Sequence, residues 1–177
     1  MPNDDVLDRS TLARRVGEVC LLQGAFVLRS GTVATTYFDK YLFEADPALL
    51  AGVAAHMAPL VPEGIEVLAG LELGGVPLAT ALSLRSGLPA AFVRKEAKSY
   101  GTAKLAEGAS VEGRRVLVVE DVITTGGQVA ASTRELRERG AIVDTVLCAI
   151  DRSGGAHRAL DESGLELRSL FTASDLG

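Results

Sequence analysis

The sequence predicts an α/β fold with a mainly parallel central sheet flanked by helices. Strand-like and helix-like segments alternate along the chain, which is the pattern of parallel strands joined by crossover helices. The 177 residues suit one domain, and 47% of them are hydrophobic, enough to form a core between the sheet and its helices. We therefore expect a single folded domain over residues 1–177, without a linker or an internal repeat.

The hydrophobic periodicity assigns the elements in order. A first helix is predicted from about residue 8 or 10 to 23, because its apolar positions share one face: Leu12, Val16, Val19 and Cys20. Two short strands follow, at 26–29 and 35–39. The later elements are a helix at 47–58, a strand at 65–70, a helix at 76–86, a strand at 91–95, a strand from 116, a helix at 128–139, a strand at 142–150, a helix at 155–163 and a strand at 165–170. Residues 96–113 show no clear periodicity, and such a long loop is usually functional or disordered.

Charge and cysteine content narrow the functional classes. A net charge of −5 argues against a nucleic-acid binder that relies on a broad basic surface. No uncharged apolar run is long enough to span a bilayer, and the acidic start of the chain does not resemble a secretory signal. Cys20 and Cys148 lack metal-site spacing and lie in apolar segments, so we expect buried free thiols. These features predict a cytoplasmic protein without nucleic-acid or membrane partners.

The run from Val116 to Gly127 is the most informative pattern. Four apolar residues predict a buried strand that ends at Glu120 and Asp121, and a Thr-Thr-Gly-Gly turn then leads into a helix. The amino terminus of a helix offers free N–H groups, and glycines let an anion approach them, so the turn suits a phosphate. Carboxylates repel phosphate, which suggests that they hold ribose hydroxyls of the same ligand, directly or through Mg²⁺. The alternative is purely structural, since an acid after a strand often caps the next helix.

A second pattern is the basic segment from Arg94 to Lys104. It carries four positive charges and one negative charge in a chain whose net charge is −5. It also follows a strand, and ligands of open α/β sheets bind at the carboxyl ends of strands. Binding of a pyrophosphate leaving group would explain it, although solvated lysine-rich loops are common.

These motifs resemble those of a known family. The run from Val116 to Gly127 resembles the signature of the type I phosphoribosyltransferases that binds 5-phosphoribosyl 1-pyrophosphate (PRPP). The segment Arg-Lys-Glu-Ala-Lys-Ser-Tyr-Gly at 94–101 resembles the catalytic loop of the orotate phosphoribosyltransferases. The resemblance extends from about residue 23 to 170. It implies transfer of the phosphoribosyl group of PRPP to orotate in de novo pyrimidine biosynthesis, giving orotidine 5′-monophosphate and pyrophosphate.

The resemblance also implies an architecture and partners. It implies the type I phosphoribosyltransferase fold with a small amino-terminal hood at about 1–45, a core at about 46–177 and a flexible catalytic loop. It implies a homodimer in which that loop is shared across the interface. Magnesium is the expected cofactor, held mainly by PRPP and water near Asp121.

Each site residue follows from a matched motif. The residues expected in catalysis are Lys95, Lys98 and Asp121. The residues expected to bind PRPP and its phosphates are Arg94, Tyr100, Glu120, Asp121, Val122, Ile123, Thr124, Thr125, Gly126, Gly127, Gln128 and Gly74. The residues expected to bind orotate are Arg29, Phe38, Thr124 and Arg152.

Some positions depart from the family pattern or have a plainer explanation. Tyr100 stands where many members have histidine, and Leu73 and Gly74 stand where some have an aromatic residue and lysine. The glycines at 70–75 could simply pack a helix on the sheet, and Phe38 could be core. Arg152 could pair with Asp151 or cap a helix, whereas His56 and His157 are expected to be ordinary surface or packing residues. A phosphoribosyltransferase for another base and a non-enzymatic PRPP sensor remain as alternative functions.

Overall fold

A computed structural model of the chain describes residues 7–28, 30–95 and 105–177. The predictions for Arg29, Lys98 and Tyr100 lie outside the described residues.

Six strands form the central sheet, in the order β5-β4-β3-β6-β7-β8. Their bounds are β3 Val67–Leu71, β4 Ala90–Val93, β5 Ala106–Gly108, β6 Val116–Ile123, β7 Thr145–Asp151 and β8 Glu166–Thr172. All neighbouring pairs are parallel except β4 and β5. The central strands are buried almost throughout, as expected for parallel strands covered on both faces. The prediction of a mainly parallel sheet is confirmed.

Helices cover both faces of this sheet. The helices are α1 Arg9–Cys20, α2 Tyr41–Ala45, α3 Pro47–Met57, α4 Gly75–Ser86, α5 Gly127–Glu138 and α6 Arg158–Asp161, with 3-10 turns at Ala58–Leu60 and Ala173–Asp175. One core joins α1, α3 and α4 to the sheet, and a second lies under α5 and α6. Asp8 caps α1 and Asp46 caps α3 by accepting hydrogen bonds from backbone N–H groups of the first turn.

A separate hairpin precedes the main sheet. Strands β1 (Leu21–Val27) and β2 (Val33–Phe38) pair antiparallel and are exposed over much of their length. The chain end lies next to Leu21 and Phe38 of this hairpin. It also contacts α1, where Arg9 forms an ion pair with Asp175 at 3.1 Å. Gly17 allows this approach, since a Cβ at this position would overlap the Leu176 carbonyl oxygen.

Several predicted boundaries were wrong, for identifiable reasons. The first helix ends at Cys20 instead of 23, because Leu21 already pairs with Phe38 in β1 and β2. Strand β6 does not stop at its two acids but continues to Ile123, because β7 pairs with it through that residue. The segment predicted to lack regular structure contains β5, which is too short to show periodicity. The last predicted helix is reduced to α6, because Gly154 and Gly155 both adopt positive φ.

Candidate active site

The predicted motifs meet at the carboxyl edge of the sheet. Strands β3, β4, β6 and β7 run parallel, so the loops that follow them leave from the same edge. The backbone N–H of Arg152 donates to the Ile123 carbonyl (2.8 Å), which joins the segment after β7 to the end of β6. The N–H of Lys95 donates to Glu72 Oε1 (2.9 Å), which joins the segment after β4 to the loop after β3.

The two acids of β6 lie at the centre of this edge. Asp121 is fully buried and Glu120 is nearly so. Asp121 Oδ1 accepts a hydrogen bond from the N–H of Val122 (2.6 Å), and its Oδ2 lies 2.6 Å from the Lys40 ammonium. The N–H of Asp121 donates to Glu120 Oε1 at 3.0 Å. Asp121 is therefore held through both carboxylate oxygens.

A third carboxyl group, Glu44 of α2, is buried beside Asp121. Among the described residues no hydrogen bond reaches Glu44 Oε1, and Asp121 Oδ2 has the Lys40 ammonium beside it without a well-directed hydrogen bond. Gly74 closes this cluster, because a Cβ built there would overlap Asp121 Oδ2 and lie 2.9 Å from Glu44 Oε1. A side chain at position 74 would therefore displace the acid at the centre of the site.

Burial and mutual repulsion give the three carboxyl groups different pKa values. Burial raises the pKa of Glu120 to about 9 and that of Glu44 to about 8, and the negative charge of Asp121 adds to both shifts. Burial alone would raise the pKa of Asp121 too, but the neighbouring Glu120 carboxyl group, the Lys40 ammonium and the Val122 N–H stabilise the carboxylate and lower its pKa. Within this cluster the negative charge is therefore favoured on Asp121, next to the Lys40 ammonium, over Glu120 and Glu44.

The turn after β6 has the properties of a phosphate site. Thr124, Thr125, Gly127 and Gln128 are exposed, and helix α5 starts at Gly127 without a side-chain cap in the described chain. Gly126 has φ of 73°, a left-handed conformation that glycine adopts without strain. A Cβ at Gly127 would meet only Thr125 Oγ1, 3.9 Å away. The first N–H groups of α5 are thus accessible to an anion.

The base-binding residues predicted on separate segments come together. The Arg152 guanidinium lies 4.9 Å from the centre of the Phe38 ring. Both residues line a cleft of about 70 Å³ that the chain end completes; its other residues are Gly17, Leu21, Ala173, Leu176 and Gly177. Tyr37 does not line this cleft, because adjacent residues of a strand point to opposite faces. The centre of its ring lies 5.5 Å from the centre of the Phe26 ring.

The predicted cations of the loop after β4 are described only at its start. The backbone N–H of Arg94 donates to the Leu105 carbonyl (2.9 Å), and its Nε is buried without a hydrogen-bond partner among the described residues. Lys95 is exposed. Both residues follow β4 at the edge that carries the acids.

Sequence reasoning missed several residues of the site. Lys40 and Glu44 were not considered; the signal available for them was a pair of opposite charges four residues apart around the apolar Leu42 and Phe43. His157, expected to be an ordinary surface or packing residue, has structural contacts: its Nε2 lies 3.4 Å from Asp151 Oδ2 and its Nδ1 lies 3.1 Å from Ser153 Oγ. This histidine therefore supports the turn that carries Arg152.

Metal ligands from the protein are sparse. Within residues 7–28, 30–95 and 105–177, no three histidine, cysteine, aspartate or glutamate side chains are grouped to hold a metal ion. Magnesium commonly binds through one or two carboxylates together with substrate phosphates and water. The residues present are compatible with an ion held mainly by the ligand, beside Asp121. In the same ranges, no helix has the length and apolar character needed to cross a bilayer.

The chain is similar in sequence to known proteins. The family described as phosphoribosyl transferase domain matches residues 43–168. The orotate phosphoribosyltransferase of a Nocardioides species is 58% identical over 167 residues, covering 94% of this chain and 93% of its own. That of Methanocella arvoryzae is 44% identical, with coverage of 86% and 87%.

Solved structures agree with these relatives. Orotate phosphoribosyltransferase from Mycobacterium tuberculosis in complex with inorganic phosphate has a TM-score of 0.85 at 34% identity, covering 96% of this chain and 98% of that chain. The same enzyme in complex with PRPP has a TM-score of 0.82 at 33% identity, covering 97% and 99%. The similarity therefore includes the hairpin as well as the central sheet.

Proposed function

This chain belongs to the phosphoribosyl transferase family and, within it, to the orotate phosphoribosyltransferases, and from this premise we propose how its residues carry out the reaction. The reaction transfers the phosphoribosyl group of PRPP to orotate, giving orotidine 5′-monophosphate and pyrophosphate. The observation that carries the proposal is the position of an ionised, doubly held Asp121 beside the uncapped start of α5. A hydroxyl acceptor and a phosphate site are then adjacent, as a ribose phosphate requires.

PRPP binds across the turn after β6. Its 5′-phosphate accepts hydrogen bonds from the N–H groups and hydroxyls of residues 124–128, where the positive end of the α5 dipole adds attraction. Asp121 accepts a hydrogen bond from a ribose hydroxyl, and Glu120 contributes a second carboxyl group to the ribose. The pyrophosphate of PRPP faces the loop at Gly74 and the cations Arg94 and Lys95.

Orotate binds between the hairpin and the turn after β7. The Arg152 guanidinium can meet the orotate carboxylate through two parallel hydrogen bonds, and Phe38 supplies an aromatic face for the pyrimidine ring. Thr124, the first residue of the phosphate turn, would contact orotate as well as the phosphate. Arg29 would add a second cation on the hairpin side.

The displacement proceeds through a sugar with cationic character at the anomeric carbon. Arg94, Lys95 and Lys98 stabilise the charge of the departing pyrophosphate, and Asp121 provides negative charge near the sugar. Bound magnesium, held mainly by PRPP and water near Asp121, would partly neutralise that leaving group. The ring nitrogen of orotate is acidic enough that a strong protein base is unnecessary.

The protein acts as a homodimer in the cytoplasm. The hairpin exposes Val27, Val33 and Tyr37, an apolar face that a second copy could cover. Cys20 and Cys148 are buried free thiols, which supports a reducing compartment. Light scattering of the purified protein should give twice the mass of 18.5 kDa.

The activity test follows the ultraviolet absorbance of orotate in the presence of PRPP and magnesium. We expect a rapid, magnesium-dependent decrease with orotate and no reaction with uracil or adenine in parallel assays. PRPP binding without turnover of orotate would favour a sensor, and turnover of another base would reassign the substrate.

A paired substitution tests the orotate site. Arg152→Met should raise the KM for orotate by at least about thirtyfold, because the substrate carboxylate loses its charged partner. Arg158→Met is the matched control, since Arg158 is an exposed arginine six positions along that pairs with Glu162 at 2.7 Å. Equal effects of the two substitutions would exclude this role of Arg152.

A further inference from the structure

We propose that Lys40 is a positioning residue for PRPP, which holds the Asp121 carboxylate in a fixed orientation before the ligand binds. The inference rests on the proposed function, in which Asp121 accepts a ribose hydroxyl. None of the sequence motifs contains Lys40. It is assigned by its position in the structure.

The geometry makes Lys40 the cationic partner of Asp121. Its ammonium lies 2.6 Å from Asp121 Oδ2, and its side chain is 33% exposed whereas that of Asp121 is fully buried. The Val122 N–H holds the other oxygen at 2.6 Å, so the two contacts together fix the plane of the carboxylate. A hydroxyl acceptor of fixed orientation suits the ribose of PRPP, because little reorganisation is needed when the ligand arrives.

The charge of Lys40 matters as much as its position. Asp121 is buried next to Glu44 and Glu120, and a buried carboxylate without a cation either takes up a proton or moves towards solvent. A protonated Asp121 would donate a hydrogen bond instead of accepting one. With Lys40 present, Asp121 is the acid of this cluster that stays ionised.

Lys40 also connects the two substrate sites through the backbone. It lies two residues after Phe38, whose ring faces Arg152. The Asp39 N–H between them donates to the Cys20 carbonyl (2.8 Å), and Asp39 Oδ1 accepts from the Tyr41 N–H (3.1 Å). Because the segment is held on both sides of Lys40, the hairpin that carries the base site also positions the cation of the ribose site.

The test is direct calorimetric titration of PRPP, in magnesium, into the Lys40→Met variant. We expect the PRPP dissociation constant to rise about tenfold or more, and the orotate dissociation constant, titrated in the same way, to change less than about twofold. Lys40→Arg should recover most of the PRPP affinity, because it restores the charge. Arg114→Met is the matched control: Arg114 pairs with Glu66 at 2.7 Å at the opposite edge of the sheet.

Each outcome decides the proposal. Unchanged PRPP affinity, tighter binding, or equal weakening of both substrates would overturn it, tighter binding because Lys40 would then obstruct Asp121. If Lys40→Met does not fold, Lys40→Gln keeps a neutral donor at the position and must show the same selective loss of PRPP affinity. Since PRPP binding is measured without turnover, failure of the wild-type activity assay would count against the proposed function and leave this test readable.

Discussion

Two turns at the same edge of the sheet look alike in sequence but use their glycines differently. The β3–α4 turn (residues 72–75) ends in Gly74-Gly75, and the β6–α5 turn (residues 124–127) ends in Gly126-Gly127. In the first turn both missing Cβ atoms face protein: Asp121 at Gly74 and the Val119 carbonyl oxygen at Gly75. In the second turn, a Cβ at Gly126 would contact the Leu160 side chain, whereas a Cβ at Gly127 would have almost no close neighbour.

The difference separates two reasons for glycine at a strand–helix turn. A glycine can permit close packing of a helix on a sheet, or it can leave backbone N–H groups open to an anion. The glycines of the β3–α4 turn allow α4 to pack on β6 and leave room for the acid cluster. In the β6–α5 turn, Gly127 chiefly leaves the backbone N–H groups of α5 accessible to an anion. The substitutions below should separate these two uses, because packing affects stability whereas access affects binding.

Gly75→Ala should have the largest effect on folding. The new methyl group would overlap a backbone carbonyl of β6, which cannot move aside without disturbing the central sheet. Overpacking of this kind costs about 3 kcal/mol in the free energy of unfolding, at the upper end of the usual range. Chemical denaturation should detect the loss as a lower midpoint with an unchanged slope. A loss below about 0.5 kcal/mol would mean that α4 can shift freely on the sheet.

The acid cluster under the β3–α4 turn should make stability depend on pH. Burial and the negative charge of Asp121 raise the pKa of Glu44 from its ordinary value of 4.5 to about 8. As pH rises between these values the unfolded chain loses its proton first, so the free energy of unfolding falls. From about pH 6 to about pH 7.5 Glu44 alone should contribute a decrease of about 2 kcal/mol.

Glu44→Gln should make this pH dependence shallower, which denaturation at the two pH values would detect. Glu66→Gln is the matched control, because Glu66 is partly exposed and hydrogen bonds from the Arg115 N–H and the Arg114 guanidinium lower its pKa, so it does not titrate in this window. A Glu44→Gln variant with the wild-type slope would place the titration on another group.

Gly126→Ala should have an intermediate effect on stability. Alanine at a φ of 73° is strained, and its Cβ would lie 2.8 Å from Leu160 Cγ. Together these effects should cost about 1–2 kcal/mol, less than at Gly75 because a leucine side chain can shift. Thermal unfolding would show a moderate decrease in Tm. A decrease as large as that of Gly75→Ala would mean that α6 is packed as rigidly as the sheet.

The fold was predictable because its main signals are local and repeated. Apolar runs and amphipathic segments identified the parallel sheet and most of its helices, and the signature at 116–127 located the turn between β6 and α5. The predicted boundaries of secondary-structure elements were wrong where pairing between strands determines them. Ile123 belongs to β6 because of β7, and Leu21 belongs to β1 because of Phe38. Neither partner can be identified from a short window of sequence.

The site was predictable only as far as its motifs extend. Glu120 and Asp121 lie near the carboxyl end of β6 and Arg152 follows β7, so their common edge could be inferred. Glu44 lies in the short helix α2 and Lys40 directly before it, outside every motif, and only the fold brings them to Asp121. The use of Gly74 as a packing position was also hidden, because a glycine in sequence does not reveal what its missing side chain would meet.

Gly127→Ala should have the smallest effect on stability and provides the clearest test of the comparison. Its Cβ would meet only Thr125 Oγ1 at 3.9 Å, and alanine favours a helix, so stability should change by less than about 0.5 kcal/mol. The methyl group would, however, stand where a phosphate approaches the start of α5, so the PRPP dissociation constant should rise about tenfold. Calorimetric titration measures the second effect, and Gly87→Ala, at a helix end with no atom within 4 Å but with φ of 75°, is the control for alanine at an open glycine. That control should lose some stability and leave PRPP affinity intact. If Gly127→Ala bound PRPP as the wild type does, the accessible N–H groups of α5 would not be the phosphate site, and the two turns would differ only in packing.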